Sequence, residues 1–199
     1  MNSKTDFRKG FRGKIAQTFG SFGLFNSAFS GGFSSKKFSS KSRFYRQFVQ
    51  NDFSFRDISQ PGTPEVKAQN AAAEQLGFVQ DLAWNLNSKS QLKAAFWWNK
   101  ADREIQPVMG SNTTDQQSDE SFRAVLDYFR FSGKSIWNLK TGWIQDKMIF
   151  NESLNQTRQF FCCFGLGFFQ RGPSAIQSWR SGDFCTGGFE HLFGNGSAL

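Results

Sequence analysis

The chain has 199 residues, 26 of them Phe, and carries a formal net charge of +8. Its length suits one domain of ordinary size with an extension. Leu, Ile, Val and Phe account for 49 of the 199 residues, a fraction above the roughly 20% below which a chain is expected to stay disordered. No apolar stretch reaches the ~20 residues that a helix needs to cross a bilayer, so the sequence predicts a protein without a transmembrane span. Three Cys and one His exclude a disulfide scaffold and most metal sites.

The excess positive charge is confined to the first quarter of the chain. Residues 1–56 contain eleven Lys or Arg against two Asp, a net +9, whereas residues 57–199 contain thirteen basic and fourteen acidic side chains, a net −1. A strongly basic segment favours an acidic partner, which can be a protein surface, nucleic acid or an anionic membrane surface. We therefore treat residues 1–56 as an extended basic arm.

The arm is rich in Phe as well as in Lys, Arg and Ser. Steps of three and four residues between its apolar side chains predict one stripe along a helix, but six Gly residues within 10–32 each cost a helix roughly 1 kcal/mol. We expect an arm that is unstructured alone and becomes ordered when its Phe rings find a surface. Its predicted partner-binding residues are Phe7, Arg8, Phe11, Arg12, Ile15, Phe19, Phe22, Phe25, Phe29, Phe33, Arg43 and Arg46.

Two identities fit such an arm. One is an organelle import presequence, because the segment is basic, Ser-rich and almost free of acid, and residues 41–45 (KSRFY) resemble a mitochondrial cleavage neighbourhood. The other is a retained arm that threads between the subunits of a large assembly. We expect the retained arm, in an organelle, with the mitochondrion favoured over the plastid.

Residues 57–63 resemble a linker, and residues 64–150 a small core with about three helices. Thr63 as N-cap with Pro64 at the first helical position predicts a helix to about Asn85. A second helix is predicted from about Ser90 to Pro107, and a third begins at Ser118.

The period changes after Gly133. Residues 135–139 and 143–150 are rich in β-formers and flank residues 140–142 (KTG), which predicts a β-hairpin. Residues 151–199 form a Phe- and Gly-rich tail without a clear period. The predicted fold class is therefore α+β: a small mixed domain with a basic arm and an irregular tail.

No motif in the sequence identifies a catalytic or cofactor site. The segment ending in Gly133, Lys134 and Ser135 lacks the first Gly of a phosphate-binding loop, because Tyr128 stands in its place. Residues 165–167 (GLG) are followed by Gln170 where a dinucleotide fingerprint needs Gly or Ala. We predict no enzyme activity and no cofactor.

Metal binding and Cys-based catalysis are equally poorly supported. The neighbours Cys162 and Cys163 lack the spacing of a zinc site, and nothing orients Cys185 with His191 as a nucleophile and base. Buried packing is the better account of these cysteines. We predict no metal site.

Residues 96–98 (FWW), with Lys and Arg nearby, are the best contact candidate outside the arm. Three consecutive residues of a helix cannot all face one core, so at least one of the rings should be exposed. The two interpretations left open are a contact site, at Trp97 and Trp98, and packing beneath the arm or tail.

These observations predict a non-enzymatic linker subunit of a large organellar assembly. Its partners would be other protein subunits with acidic surfaces. The alternative is an RNA- or DNA-binding structural protein, of ribosomal or virion type, whose arm neutralises phosphates.

Overall fold

The computed structural model of the protein describes residues 9–111, 113–133, 135–152, 155–171 and 178–193. Beyond residue 152 it describes the backbone, with the side chain of Thr157. The described residues contain eleven strands and no helix. Their bounds are Gly10–Phe19 (β1), Phe25–Ser34 (β2), Phe38–Val49 (β3), Ser54–Arg56 (β4), Glu65–Lys67 (β5), Ala73–Asn87 (β6), Ser90–Glu104 (β7), Gln116–Ser132 (β8), Ser135–Asn151 (β9), Asn155–Arg171 (β10) and Ser178–Phe193 (β11).

Nine strands form one antiparallel sheet in the order β1-β2-β3-β6-β7-β8-β9-β10-β11. Consecutive strands of this sheet are also consecutive in the chain, except that β3 pairs directly with β6. The segment that connects β3 to β6 contains β4 and β5, which form a separate two-stranded ribbon. The strands β6 to β9 are 15 to 17 residues long, well beyond the five or six residues that are usual in globular proteins.

The prediction of an α+β fold is wrong. The three predicted helices correspond to β6, β7 and β8, and the predicted hairpin turn at residues 140–142 lies inside β9. The helix prediction depended on three- and four-residue spacings that joined Leu76 and Leu86 to Val79 and Ala83. The larger apolar side chains follow instead the two-residue alternation of a strand, and they are Leu76, Phe78, Leu82 and Trp84. The β8–β9 hairpin turns at Gly133, whose φ of 57° suits glycine.

Residues 10–49 form the first three strands of the main sheet. The predicted helical stripe Phe11, Ile15 and Phe19 advances by four residues, which places side chains on one face of a strand as well as of a helix. The glycines and Ser residues between them disfavour the helix. This segment is therefore continuous with the sheet, and residues 155–171 and 178–193 of the expected irregular tail also belong to it.

The described side chains form no conventional core. Ala68 and Ala83 are the buried hydrophobic residues among them, and no large side chain is fully buried. Among the described residues there is also no helix that is long and apolar enough to span a membrane. The main sheet is thus a single layer with two accessible faces.

Candidate functional site

Strand alternation divides the side chains of the main sheet into an apolar face and a polar face. The register pairs Phe78 of β6 with Trp98 of β7 and Trp98 with Phe122 of β8, and Phe96 lies in the next row. The ring centroid of Phe96 lies 6.0 Å from that of Phe78 and 4.8 Å from that of Phe122. These contacts establish that the even-numbered positions of the three strands share the apolar face.

The apolar face carries most of the large exposed hydrophobic side chains. Ile15 is 77% exposed, and Phe11 is 75% exposed. The members of the apolar face with high exposure are Phe11, Ile15, Phe19, Phe29, Phe33, Phe44, Leu82, Trp84, Leu126, Trp137, Leu139 and Trp143. On the opposite face of these strands the corresponding residues are Val125, Phe129, Phe131 and Ile144.

The polar side chains in the middle of the apolar face bond to one another. Ser42 Oγ donates to Gln80 Oε1 at 2.5 Å, and Gln80 Nε2 donates to Ser40 Oγ at 2.9 Å. These contacts join β3 to β6. The amide of Gln80 therefore has protein partners and does not depend on water, as a polar group in an apolar environment requires.

Small residues create a shallow apolar groove on this face. Ala94 and Ala124 lie between the larger side chains of Phe96, Leu126 and Trp143, and the groove has a volume of about 310 Å³. Gln80 and Thr141 are the polar side chains of its lining. The groove is a dip in a mostly apolar surface.

A row of charges borders the apolar face toward the start of β6 and the end of β7. Arg46 pairs with Glu74 at 2.6 Å, and Lys100 pairs with Asp102 at 2.9 Å. Burial tends to raise the pKa of Asp102, but hydrogen bonds from Ser118 and Lys100 together with the charge of Lys100 hold it below its usual range. The hydrogen bond and charge of Asp102 in turn raise the pKa of Lys100.

Trp98 lies where the apolar surface meets these charges. Its indole Nε1 donates to Glu120 at 2.9 Å, while its ring belongs to the same row as Phe78 and Phe122. Such a position satisfies both the apolar ring and its polar N–H group.

The polar face carries ion pairs along its length. Arg43 pairs with Asp81 at 2.7 Å, and Lys140 lies 3.7 Å from Asp127. Arg123 lies 3.7 Å from Asp146 and stacks over the ring of Trp97, 5.0 Å from its centroid. These exposed pairs are typical of a surface that faces water.

The predicted contact residues fall on both faces. On the apolar face lie Phe11, Ile15, Phe19, Phe25, Phe29, Phe33, Arg46 and Trp98, and on the polar face lie Arg12, Arg43 and Trp97. Phe22 lies in the β1–β2 connection, where its ring contacts Phe53 at 6.1 Å. Phe7 and Arg8 lie outside the described residues. The structure therefore separates the predicted Phe anchors from Arg12 and Arg43.

The sequence interpretation missed the polar side chains that organise the faces, Gln80 and Asn99 among them. Their signal was the period of two in β6 and β7, which the helical assignment concealed. Within the described residues no group of three His, Cys, Asp or Glu side chains could hold a metal ion. The side chains of Cys162, Cys163, Cys185 and His191 lie outside the described set.

Comparison with known proteins adds no family to this geometry: no family model matches the chain, and no curated protein matches it.

Proposed function

We propose that this chain is a structural, non-enzymatic element of a membrane wall. Its apolar face contacts the hydrocarbon interior of a bilayer, and its polar face contacts water. The observation that carries the proposal is the division of a single-layer sheet into an exposed apolar face and an ion-paired polar face.

An apolar face of this size needs a covering. Soluble monomers rarely expose contiguous apolar patches larger than a few hundred Å², and burying one Phe or Leu side chain is worth about 1.5–3 kcal/mol. A face that includes Phe11, Ile15, Phe29, Trp84 and Trp143 therefore favours transfer out of water.

The length of the apolar stretches supports lipid as the covering. From Phe11 to Phe19 in β1 and from Phe25 to Phe33 in β2, each stretch covers nine residues. In β6 the stretch from Phe78 to Trp84 covers seven residues, because Leu76 lies in the row of Arg46 and Lys100. A strand that crosses a bilayer needs about 9–11 residues. The expectation of no transmembrane span rested on the length of helices and took no account of strands.

The ends of the apolar face support the same covering. Trp84, Tyr128 and Trp137 lie toward the short β6–β7 and β8–β9 connections, and Trp98 lies toward the opposite edge. Aromatic rings at both borders and antiparallel strands joined by short turns on one side are typical of membrane sheets. The longer connections, residues 50–72 and 105–115, lie at the other edge.

Lipid replaces acidic protein subunits as the proposed partner of the Phe side chains in residues 10–49. These rings already share a sheet face with residues of β6 to β9, and few cations stand among them. A second protein layer over the same face is the competing outcome that an experiment must separate. We propose no catalytic step, because the described side chains form no catalytic arrangement that would support one.

Trp143 and Trp97 provide a matched pair for this experiment, because Trp143 lies on the apolar face and Trp97 on the polar face. Two full-length variants each retain one of them, with the other five of the six Trp residues replaced by Phe. In phosphatidylcholine vesicles with brominated acyl chains, we expect quenching of Trp143 fluorescence and little effect on Trp97. Aqueous iodide should quench the fluorescence of Trp97 more strongly than that of Trp143.

Equal quenching of both Trp residues by iodide, with none by the brominated chains, would contradict the lipid contact. Protection of Trp143 from both quenchers, together with chemical cross-linking to a second protein, would show that a protein layer covers the face. Quenching of Trp143 by brominated chains at several depths would locate its ring along the bilayer normal.

A further inference from the structure

Four cations lie close together on the polar face at the β1 end of the sheet. The register aligns Arg12 with Gly32 and Lys41 in one row, and Lys14 with Ser30 and Arg43 in the next. All four positive side chains are exposed. We call Arg12, Lys14, Lys41 and Arg43 the basic patch.

The space between the four cations is open. On the intervening strand β2, Gly32 has no side chain and Ser30 has a small one. Rows two residues apart on a strand are separated by about 6.8 Å, and β1 and β3 lie about 9.6 Å apart across β2. The basic patch therefore surrounds a shallow surface of small molecular size.

Among the described residues that the register places at the basic patch, four cations stand against one carboxylate. Asp81 is the acidic residue that the register places beside it, and its carboxylate accepts a 2.7 Å hydrogen bond from Arg43. Within the described residues, Lys14 and Lys41 form no ion pair. Lys14 and Lys41 therefore lie close together without a described counter-charge, and a multivalent anion bound between them would relieve their repulsion.

We propose that the basic patch binds a small anion with two or three linked phosphate groups. The planar guanidinium groups of Arg12 and Arg43 suit bidentate contacts to phosphate oxygens, and Lys14 and Lys41 supply point charges. The Ser30 hydroxyl lies between them and is a further donor. The inference concerns the face opposite to the proposed lipid contact, and it stands independently of that contact.

The rest of the polar face disfavours nucleic acid as the ligand. Binding along a nucleic-acid backbone requires a continuous basic track, whereas Asp127 and Asp146 alternate with Lys140 and Arg123 on the neighbouring strands. A compact ligand fits the isolated cluster of cations. This argument separates a linked-phosphate ligand from the predicted RNA or DNA partner.

The test is isothermal titration calorimetry of the full-length protein with inorganic triphosphate, in an uncharged detergent at low salt. We expect saturable binding that weakens as salt increases. The double variants R12Q/K41Q and K14Q/R43Q should each bind at least about tenfold more weakly, because each loses two charge-assisted contacts. The control K93Q/K140Q removes two cations from the same face outside the basic patch and should retain the wild-type affinity.

Circular dichroism of each variant should match that of the wild type, because the substituted side chains are exposed, or half-buried in the case of Lys93. As a second probe, R12K/R43K keeps all charges and should bind more weakly than the wild type but more tightly than R12Q/K41Q. Absence of triphosphate binding, or an equal loss in K93Q/K140Q, would overturn the proposal. Tighter binding of a single-stranded oligonucleotide, with a site size of several nucleotides, would assign the face to nucleic acid instead.

Discussion

The aromatic ring of Tyr45 occupies the space that a side chain at Gly77 would fill. The two residues are register partners in β3 and β6 on the polar face, and a Cβ atom built on Gly77 would overlap the ring of Tyr45. From this position Tyr45 Oη donates to Asn99 Oδ1 in β7 at 2.8 Å. One side chain thus joins three strands, and it can do so because the middle strand has glycine beneath it.

Replacing Gly77 with Ala should destabilise the protein. The added methyl group meets the Tyr45 ring, and such overpacking costs about 1–3 kcal/mol. Chemical unfolding in detergent, followed by circular dichroism, measures the loss. Gly142→Ala is the control, because its nearest neighbour lies 3.7 Å from the new Cβ, and an equal loss in both variants would refute the packing argument.

Replacing Tyr45 with Phe should cost less than Gly77→Ala. The ring stays over Gly77 while the hydrogen bond to Asn99 is lost, and a typical hydrogen bond contributes about 0.5–1.5 kcal/mol. Asn99 Oδ1 still accepts from Gln75 Nε2 at 2.8 Å, so the acceptor keeps a partner. A loss above about 3 kcal/mol in the same unfolding assay would show that the hydroxyl has a larger role than this geometry gives it.

Two single substitutions by Lys, at consecutive positions of β7, should distinguish the apolar face from the polar face. Ala94 lies on the apolar face and Ala95 on the polar face. In lipid vesicles, Ala94→Lys should cost about 2–4 kcal/mol of stability, as expected for a charge facing the hydrocarbon interior. Ala95→Lys lies next to Asp81 in the register and should change stability by less than about 1 kcal/mol. Equal effects in vesicles would contradict the proposed lipid contact.

The pair formed by Lys100 and Asp102 should make stability depend on pH. The folded state lowers the pKa of Asp102, so its stabilisation is present above the ordinary value of 3.8 and is lost as pH falls through the lower folded value. The folded state raises the pKa of Lys100, whose contribution is present below 10.5 and is lost as pH rises through the higher folded value. Both side chains are more than a third exposed, so the effect should be small.

Unfolding midpoints between pH 2 and pH 6 measure the acidic half of this dependence. Asp102→Asn should flatten the decline at low pH relative to the wild type. Parallel profiles for the two proteins would show that other carboxylates dominate the acid response.

Part of the division of side chains between the two faces was predictable from local pattern. Consecutive rings at residues 96–98 could not share one core, and the structure separates them: Phe96 and Trp98 lie on the apolar face and Trp97 on the polar face. The prediction of helices was wrong because side chains four residues apart lie on one face of a strand as well as of a helix. The period of two in Leu76, Phe78, Leu82 and Trp84 was the better guide to β6.

The sequence by itself determined what is local to the chain: the concentration of positive charge in residues 1–56 and the side chains that each strand displays on its two sides. Only the tertiary structure decided which of these side chains meet. Tyr45 and Gly77 are 32 residues apart, and Arg12 and Lys41 are 29 apart, yet the sheet register places each pair on one face. The physical reason is that strand pairing joins distant segments, and a shift of one residue would move each side chain to the opposite face.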